Sequence, residues 1–312
     1  MAGDEEEGQD DRTAPVVDAA DLKAVAKSIA KKGKSKARPW KSELTLDFGT
    51  LQWQPDLARA QPKAVLHIHL AGRLLSYVIE RMKAANAAGY EVHVATSLSG
   101  LYDEKALIEL AKLDATIHLI KTDGAAGAPA PLLRILAMER IRLSPALRSQ
   151  LGGIGWDLSQ QQVAKQRRGR RFEAVIVFLL SQVEDFQIVE TNMRTATEEL
   201  DAVVQQRATQ GRCWATVGAP FILVEAKNWK EPVDQPQVSV LLTKMRGKRK
   251  TVRLGLMFSA SDFTTDAKDQ ELRFAAEDLT IAFLNGKEIH DWIASADGDE
   301  YLEQVMQRAM LR

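Results

Sequence analysis

Apolar and polar positions follow two periods along this chain, and the places where the period changes mark its organisation. Between residues 63 and 120 short apolar runs alternate with helical stripes. Apolar runs of four to eight residues read as strands, and apolar positions recurring every three or four residues read as helices. The spacing predicts strands over 64–70, 90–96 and 116–120 and helices over 74–88 and 103–112, a βαβαβ order with a small parallel sheet. Leu74, Leu75, Val78, Ile79 and Met82 form the first helical stripe, and Gly89 closes that helix. Upstream, Leu44, Leu46, Phe48, Leu51 and Trp53 stand at alternate or near-alternate positions and suggest a strand or hairpin within 43–60.

The second half carries a different order. Helical spacing over 132–141 and 158–166 is interrupted by Gly152-Gly153-Ile154-Gly155, which reads as a turn. Arg167, Arg168, Arg170 and Arg171 then precede a helix with the stripe Phe172, Val175, Ile176, Leu179 and Leu180. Strands are predicted over 186–190 and 200–204. Next comes Phe221-Ile222-Leu223-Val224-Glu225-Ala226-Lys227-Asn228-Trp229, an apolar run that ends in a carboxylate and an ammonium two residues apart. A helix over 237–245, a strand over 254–259, a helix over 266–277, a strand over 279–283, a turn at Asn285-Gly286 and a helix over 287–293 complete an α/β unit. A last amphipathic helix over 300–310 presents Tyr301, Leu302, Val305, Met306 and Met310 to a core or to a partner.

Composition adds limits. The chain has 312 residues, 45% hydrophobic and 27% charged, with longest apolar runs well short of the ~20 residues a membrane span needs. Lys+Arg and Asp+Glu both number 42, so no global field attracts a polyanion and any nucleic-acid surface is a local patch. One cysteine, Cys213, excludes an internal disulfide framework and fits a reducing cytoplasm. The N-terminus, acidic from Asp4 to Asp11, lacks the features of a signal peptide, and secretion is not expected. Residues 1–42 read as a disordered acidic tail followed by a basic cluster, 43–123 as the small α/β domain, 124–166 as linker and helices, 167–293 as the main domain and 294–312 as the terminal helix.

Side chains two apart on a strand share a face, so Glu225 and Lys227 lie together. Such a pair is either an ion pair or half of a cation site. Asp201, at the start of the preceding apolar strand, adds an acid on a neighbouring strand. Glu173 at the edge of its helical stripe is either a helix-start charge favoured by the macrodipole or a site carboxylate. Lys244, Arg246, Lys248, Arg249, Lys250 and Arg253 place six cations in ten residues and are the strongest candidate phosphate contacts, beside the reading as a solvated loop. In the first half the ligand edge of the sheet is expected near Ala71-Gly72-Arg73 and Ser97-Leu98-Ser99-Gly100, without a dinucleotide fingerprint or P-loop. His67, His69, His93 and His118 lie on its strands; His67 and His69 share a face, but satisfied core histidines are preferred to a metal site.

Residues from about 168 to 293 resemble the PD-(D/E)XK nuclease superfamily and, within it, the Mrr-like restriction endonuclease domains. The resemblance rests on four pieces in order: the helix R-R-F-E-A-V-I-V-F-L-L, the strand E-L-D-A-V-V, the strand V-E-A-K-N-W with P-V soon after, and the segment G-L-M-F-S-A-S-D-F-T-T-D-A-K. The usual proline-aspartate dipeptide is replaced by Leu200-Asp201. The resemblance implies a restriction-endonuclease-like α/β/α core, with Asp201 and Glu225 as ligands of Mg²⁺ (or Mn²⁺) and Lys227 as the group that positions the attacking water. It also implies a supporting role for Glu173 and for a glutamine on the following helix, Gln235 or Gln237. The implied activity is phosphodiester hydrolysis of DNA, with RNA open as a substrate, in prokaryotic restriction or anti-phage defence, and two copies for double-strand cutting. The first-half domain looks similar to the Rossmann-like sensor domains that precede nucleases in CRISPR-associated effectors, which implies a specificity module or a small-ligand activator. Two alternatives stand beside it: a catalytically inactive nucleic-acid-binding or assembly protein on the same scaffold, and a ligand-gated nuclease.

Overall fold

The structure is a computed structural model that describes residues 24–29, 40–42, 44–49, 51–69, 74, 76–121, 125–194, 199–208, 211–248, 250–272 and 278–311. The predicted acidic tail, the cations from Lys31 to Arg38, the Ala71-Gly72-Arg73 stretch and Arg249 lie outside the described residues. Contacts divide the chain into two compact units, residues 1–109 with 115–129, and residues 110–114 with 130–312.

In the first unit the elements run β1 (Leu57–Ala60), β2 (Lys63–His69), α1 (Ser76–Ala87), β3 (Glu91–Thr96), α2 (Glu104–Lys112) and β4 (Thr116–Leu119). The sheet order is β1-β2-β3-β4. β1 pairs antiparallel with β2 (Leu57↔Leu66), while β2–β3 (Ala64↔Glu91) and β3–β4 (His93↔Thr116) are parallel. Nearly continuous burial along β2 and β3 is what a parallel sheet covered on both faces requires. α1 buries Val78, Ile79, Met82 and Ala85, the stripe its spacing predicts. Leu46–Asp47 pairs antiparallel with Gln52–Trp53, a short hairpin inside the stretch where one was expected. His67 Nδ1 lies 3.2 Å from Asp56 Oδ2, and His93 Nδ1 lies 3.0 Å from His118 Nε2.

In the second unit the elements run α3 (Leu132–Met138), α4 (Pro145–Gln160), α5 (Lys165–Ser181), β5 (Phe186–Arg194), β6 (Glu199–Gln206), β7 (Phe221–Lys227), α6 (Gln235–Arg246), β8 (Val252–Ser259), α7 (Thr265–Leu272), β9 (Thr280–Leu284), α8 (Gly286–Ala294) and α9 (Gly298–Met310). The five-stranded sheet has the order β9-β8-β7-β6-β5. β7, β8 and β9 are parallel to one another, and β6 and β5 follow antiparallel. α5 packs against β5, β6 and β7, with α4 against its outer side; α6 packs on β7 and β8 with α7 beside it. Phe172, Val175, Ile176 and Leu179 fill one layer, and Leu223, Leu241, Met245, Met257 and Phe283 fill the other. The α/β class read from the sequence is the class observed. Among the described residues no helix is long and apolar enough to cross a membrane.

Three local readings are corrected. Gly152-Gly153-Ile154-Gly155 is not a turn but the middle of α4. A Cβ on Gly155 would sit 2.5 Å from Leu133 Cδ1 and 2.7 Å from Val175 Cγ2, so glycine there serves close helix packing on α3 and α5. The arginines do not precede α5 but make up its first turns. Arginine is among the better helix formers, and Arg167 and Arg171 both reach Asp114 Oδ2 at 2.7 Å. Asn285-Gly286 is a helix start rather than a turn. Asn285 Oδ1 accepts from Glu288 N at 2.9 Å while Glu288 Oε2 accepts from Asn285 N at 3.0 Å, a reciprocal cap. A Cβ on Gly286 would meet the carbonyl oxygen of Ala260 at 2.3 Å.

Candidate active site

The apolar run of β7 is buried from Ile222 to Glu225 because the strand is central, with β6 on one side and β8 on the other. Pairing with β6 continues to Val224↔Ala202 and then stops, which leaves Asp201 beside Glu225 where the two strands separate. At that point a side chain replaces the ladder: Asp201 Oδ2 accepts from Ala226 N at 2.7 Å. Opposed residues of antiparallel strands point to the same side, so Asp201, Glu225 and Lys227 fall on one face. Leu223 and Val203 lie on that face too, packed with α6.

Glu225 is 6% exposed, and a carboxylate so buried needs partners. It has two. Lys227 Nζ contacts Oε1, and Lys244 Nζ donates to Oε2 at 2.9 Å. The ion pair between Glu225 and Lys227 that the sequence allowed is present. Lys227 also lies over the Trp229 ring, 5.9 Å from its centroid. Lys244 is turned inward, which corrects its expected place among outward phosphate contacts; its ammonium also donates to the Glu199 carbonyl at 2.6 Å.

Glu173 is the ninth residue of α5, beyond the first turn in which a helix macrodipole acts, so the helix-start reading is corrected. Its partner is Asn192 on β5. With the amide oriented to satisfy both neighbours, Asn192 donates to Glu173 Oε2 at 3.0 Å and accepts from Arg134 Nη1 at 2.6 Å. Asn192 holds φ +52°, a left-handed conformation that asparagine tolerates better than most residues. Burial pushes the Glu173 carboxyl up, and the Arg134 guanidinium opposes the shift. The Asp201 carboxyl is pushed up to about 7, first by burial and then by the charge of Glu225, against the hydrogen bond from Ala226.

These side chains border an open cavity of about 510 Å³. Glu173, Asp201, Glu225 and Lys227 line it, and from α6 Gln237, Val240 and Lys244 do so at helical spacing. Gln235 turns elsewhere, donating to Gln270 Oε1 at 2.8 Å. Clustered hard carboxylate oxygens are the donor type that a divalent cation such as Mg²⁺ or Mn²⁺ takes. Among the described residues no group of three or more His, Cys, Asp or Glu side chains is arranged to hold a metal ion.

The rest of the basic segment is elsewhere. Arg253 lies at the start of β8, where Val252 pairs with Phe221, whereas Lys227 pairs with Ser259 at its end. Six residues of strand separate Phe221 from Lys227, about 20 Å. Arg246, Lys250 and Arg253 line a separate cavity of about 350 Å³, with Asp278 3.8 Å from Arg253. Sequence reasoning missed Arg134, Asn192 and Asn228. Asn228 is buried and donates to the Ser159 and Arg168 carbonyls at 2.9 and 3.1 Å, which ties the end of β7 to α4 and α5. Its position directly after E-A-K was the available signal.

No curated protein matches this chain. Among solved structures, that of protein VC1899 from Vibrio cholerae is 11% identical, covers 75% of this chain and 80% of its own, and superposes with a TM-score of 0.29, a likeness too slight to bear on the fold. Residues 164–293, the span that holds Glu173, Asp201, Glu225, Lys227 and Gln237, match the family model Mrr_cat, described as restriction endonuclease, and the second unit carries a restriction-endonuclease-like domain.

Proposed function

We propose that this protein is a divalent-cation-dependent endonuclease that hydrolyses phosphodiester bonds of DNA. The observation that carries the reading is the meeting of Asp201, Glu225 and Lys227 at the parting of β6 and β7, open to a cavity. Asp201 and Glu225 would hold Mg²⁺ or Mn²⁺, which supplies charge neutralisation on the phosphate and lowers the pKa of a water. Lys227, at the strand end beside the cavity, is placed to orient the attacking water and to offset charge developing on the phosphate. Glu173, held by Asn192, adds negative potential near Asp201, and Gln237 offers the cavity an amide. Arg246, Lys248, Lys250 and Arg253 are assigned to phosphates distant from the cut. The first unit is assigned as the sensor or specificity module, and restriction or anti-phage defence as the setting.

The test is nicking of supercoiled plasmid in Mg²⁺, comparing the parent with Asp201→Asn and Lys227→Met. The expected loss is at least about 100-fold in each variant, the scale of removing a group that stabilises transition-state charge. Equal activity in all three proteins sinks the assignment. Cleavage of RNA in place of DNA redirects it.

A further inference from the structure

Two lysines share one buried carboxylate, and their situations differ. Lys227 stands at the end of β7 on the cavity wall, and its side chain is 20% exposed. Lys244 is in the last turn of α6, a position where a cation is favoured by the helix dipole. Its side chain is 11% exposed, between the buried Leu241, Leu242 and Met245, and its ammonium is fixed by Glu225 Oε2 at 2.9 Å and the Glu199 carbonyl at 2.6 Å. A buried ammonium with two acceptors is held in place, whereas an ammonium at a strand end beside open space is free to change partner.

We propose that Lys244 is a positioning residue, the resident counter-ion of Glu225, which fixes that carboxylate in the metal-free protein and thereby sets how tightly the site takes a divalent cation. This rests on the nuclease reading of the site. Lys244 keeps Oε2 occupied and leaves Oε1, the oxygen in contact with Lys227, for exchange. Lys227 is thereby spared the task of neutralising Glu225 and can turn to water or phosphate. The same lysine opposes cation entry, because it is a like charge within a few ångströms of the carboxylate oxygens. Lys244 also ties the start of β6, which carries Asp201, to the face of α6 that carries Gln237 and Val240.

The experiment is Mn²⁺ titration of the full chain by calorimetry, with melting curves in EDTA, for the parent, Lys244→Met, Lys244→Gln and Lys244→Arg. Lys244→Met is expected to melt at a lower temperature in EDTA, to bind Mn²⁺ about tenfold more tightly than the parent, and to gain more in melting temperature when Mn²⁺ is added. Lys244→Gln keeps a donor for the Glu199 carbonyl and loses the charge; it is expected to bind as tightly as Lys244→Met and provides the reading if the methionine variant does not fold. Lys244→Arg keeps the charge and is expected to bind as the parent does. Unchanged or weaker binding in the neutral variants, with the parent binding Mn²⁺, overturns the role of Lys244 and leaves the nuclease reading intact. A parent that binds no Mn²⁺ overturns the metal site itself, and the role of Lys244 with it.

Discussion

Asp201 does two jobs with two oxygens. Oδ2 closes the ladder by accepting from Ala226 N, and the carboxyl as a whole sits where burial and Glu225 push it up to about 7. The sign of the effect on stability follows. An unfolded aspartate ionises near 4, so between about pH 4 and 7 the folded chain holds a proton that the unfolded chain has lost, and this group makes the metal-free protein less stable as pH rises. Asp201→Asn keeps an acceptor for Ala226 and cannot ionise. In EDTA its melting temperature is expected to be close to that of the parent at pH 4 and to exceed it increasingly up to about pH 7. A gap that stays constant from pH 4 to 8 contradicts the raised ionisation of Asp201. Alanine at 201 is a poorer probe, because it leaves the Ala226 amide without its acceptor.

Among the elements, α4 shows what a helix can give up for close approach. It carries Gly152, Gly153 and Gly155, each costing about 1 kcal/mol of helix propensity relative to alanine, and it lies against α5 for much of its length. Gly155→Ala is expected to destabilise the protein by about 1–3 kcal/mol in urea unfolding despite the better propensity, because the new methyl meets Val175 and Leu133. A stabilised variant contradicts the packing argument. This helix also shows where the sequence was hard to read. Glycine signals a turn and a close helix contact with the same letter, and only the tertiary neighbours decide between them. β7 was legible because four apolar residues followed by Glu225 and Lys227 admit few alternatives, and Asp201 was legible from its own strand. Glu173 was visible as a carboxylate near a buried stripe, yet its support comes from Asn192 on β5 and Arg134 on α3, far from it in sequence, which no local pattern encodes. Lys244 was obscured by its company, since one inward lysine among six cations looks like the others unless its spacing from Gln237 and Val240 is counted.

At the scale of the whole molecule, charge is arranged by sheet pole rather than by sequence neighbourhood. The carboxylates gather at the end of β7, and Lys250 and Arg253 gather near the start of β8, about 20 Å along the strands. Replacing Lys250 and Arg253 together by alanine is expected to reduce the slope of log affinity for DNA against log salt by about two and to leave Mn²⁺ affinity unchanged. An unchanged slope removes these residues from the contact surface. The parallel pairing of β7 with β8 has a consequence of another kind, for chains that are never finished. Every side chain assigned to the site precedes residue 245, but the strand that backs β7 begins only at Val252. A chain stopped between them carries every side chain assigned to the site but leaves one edge of β7 bare, and bare apolar edges pair with other chains.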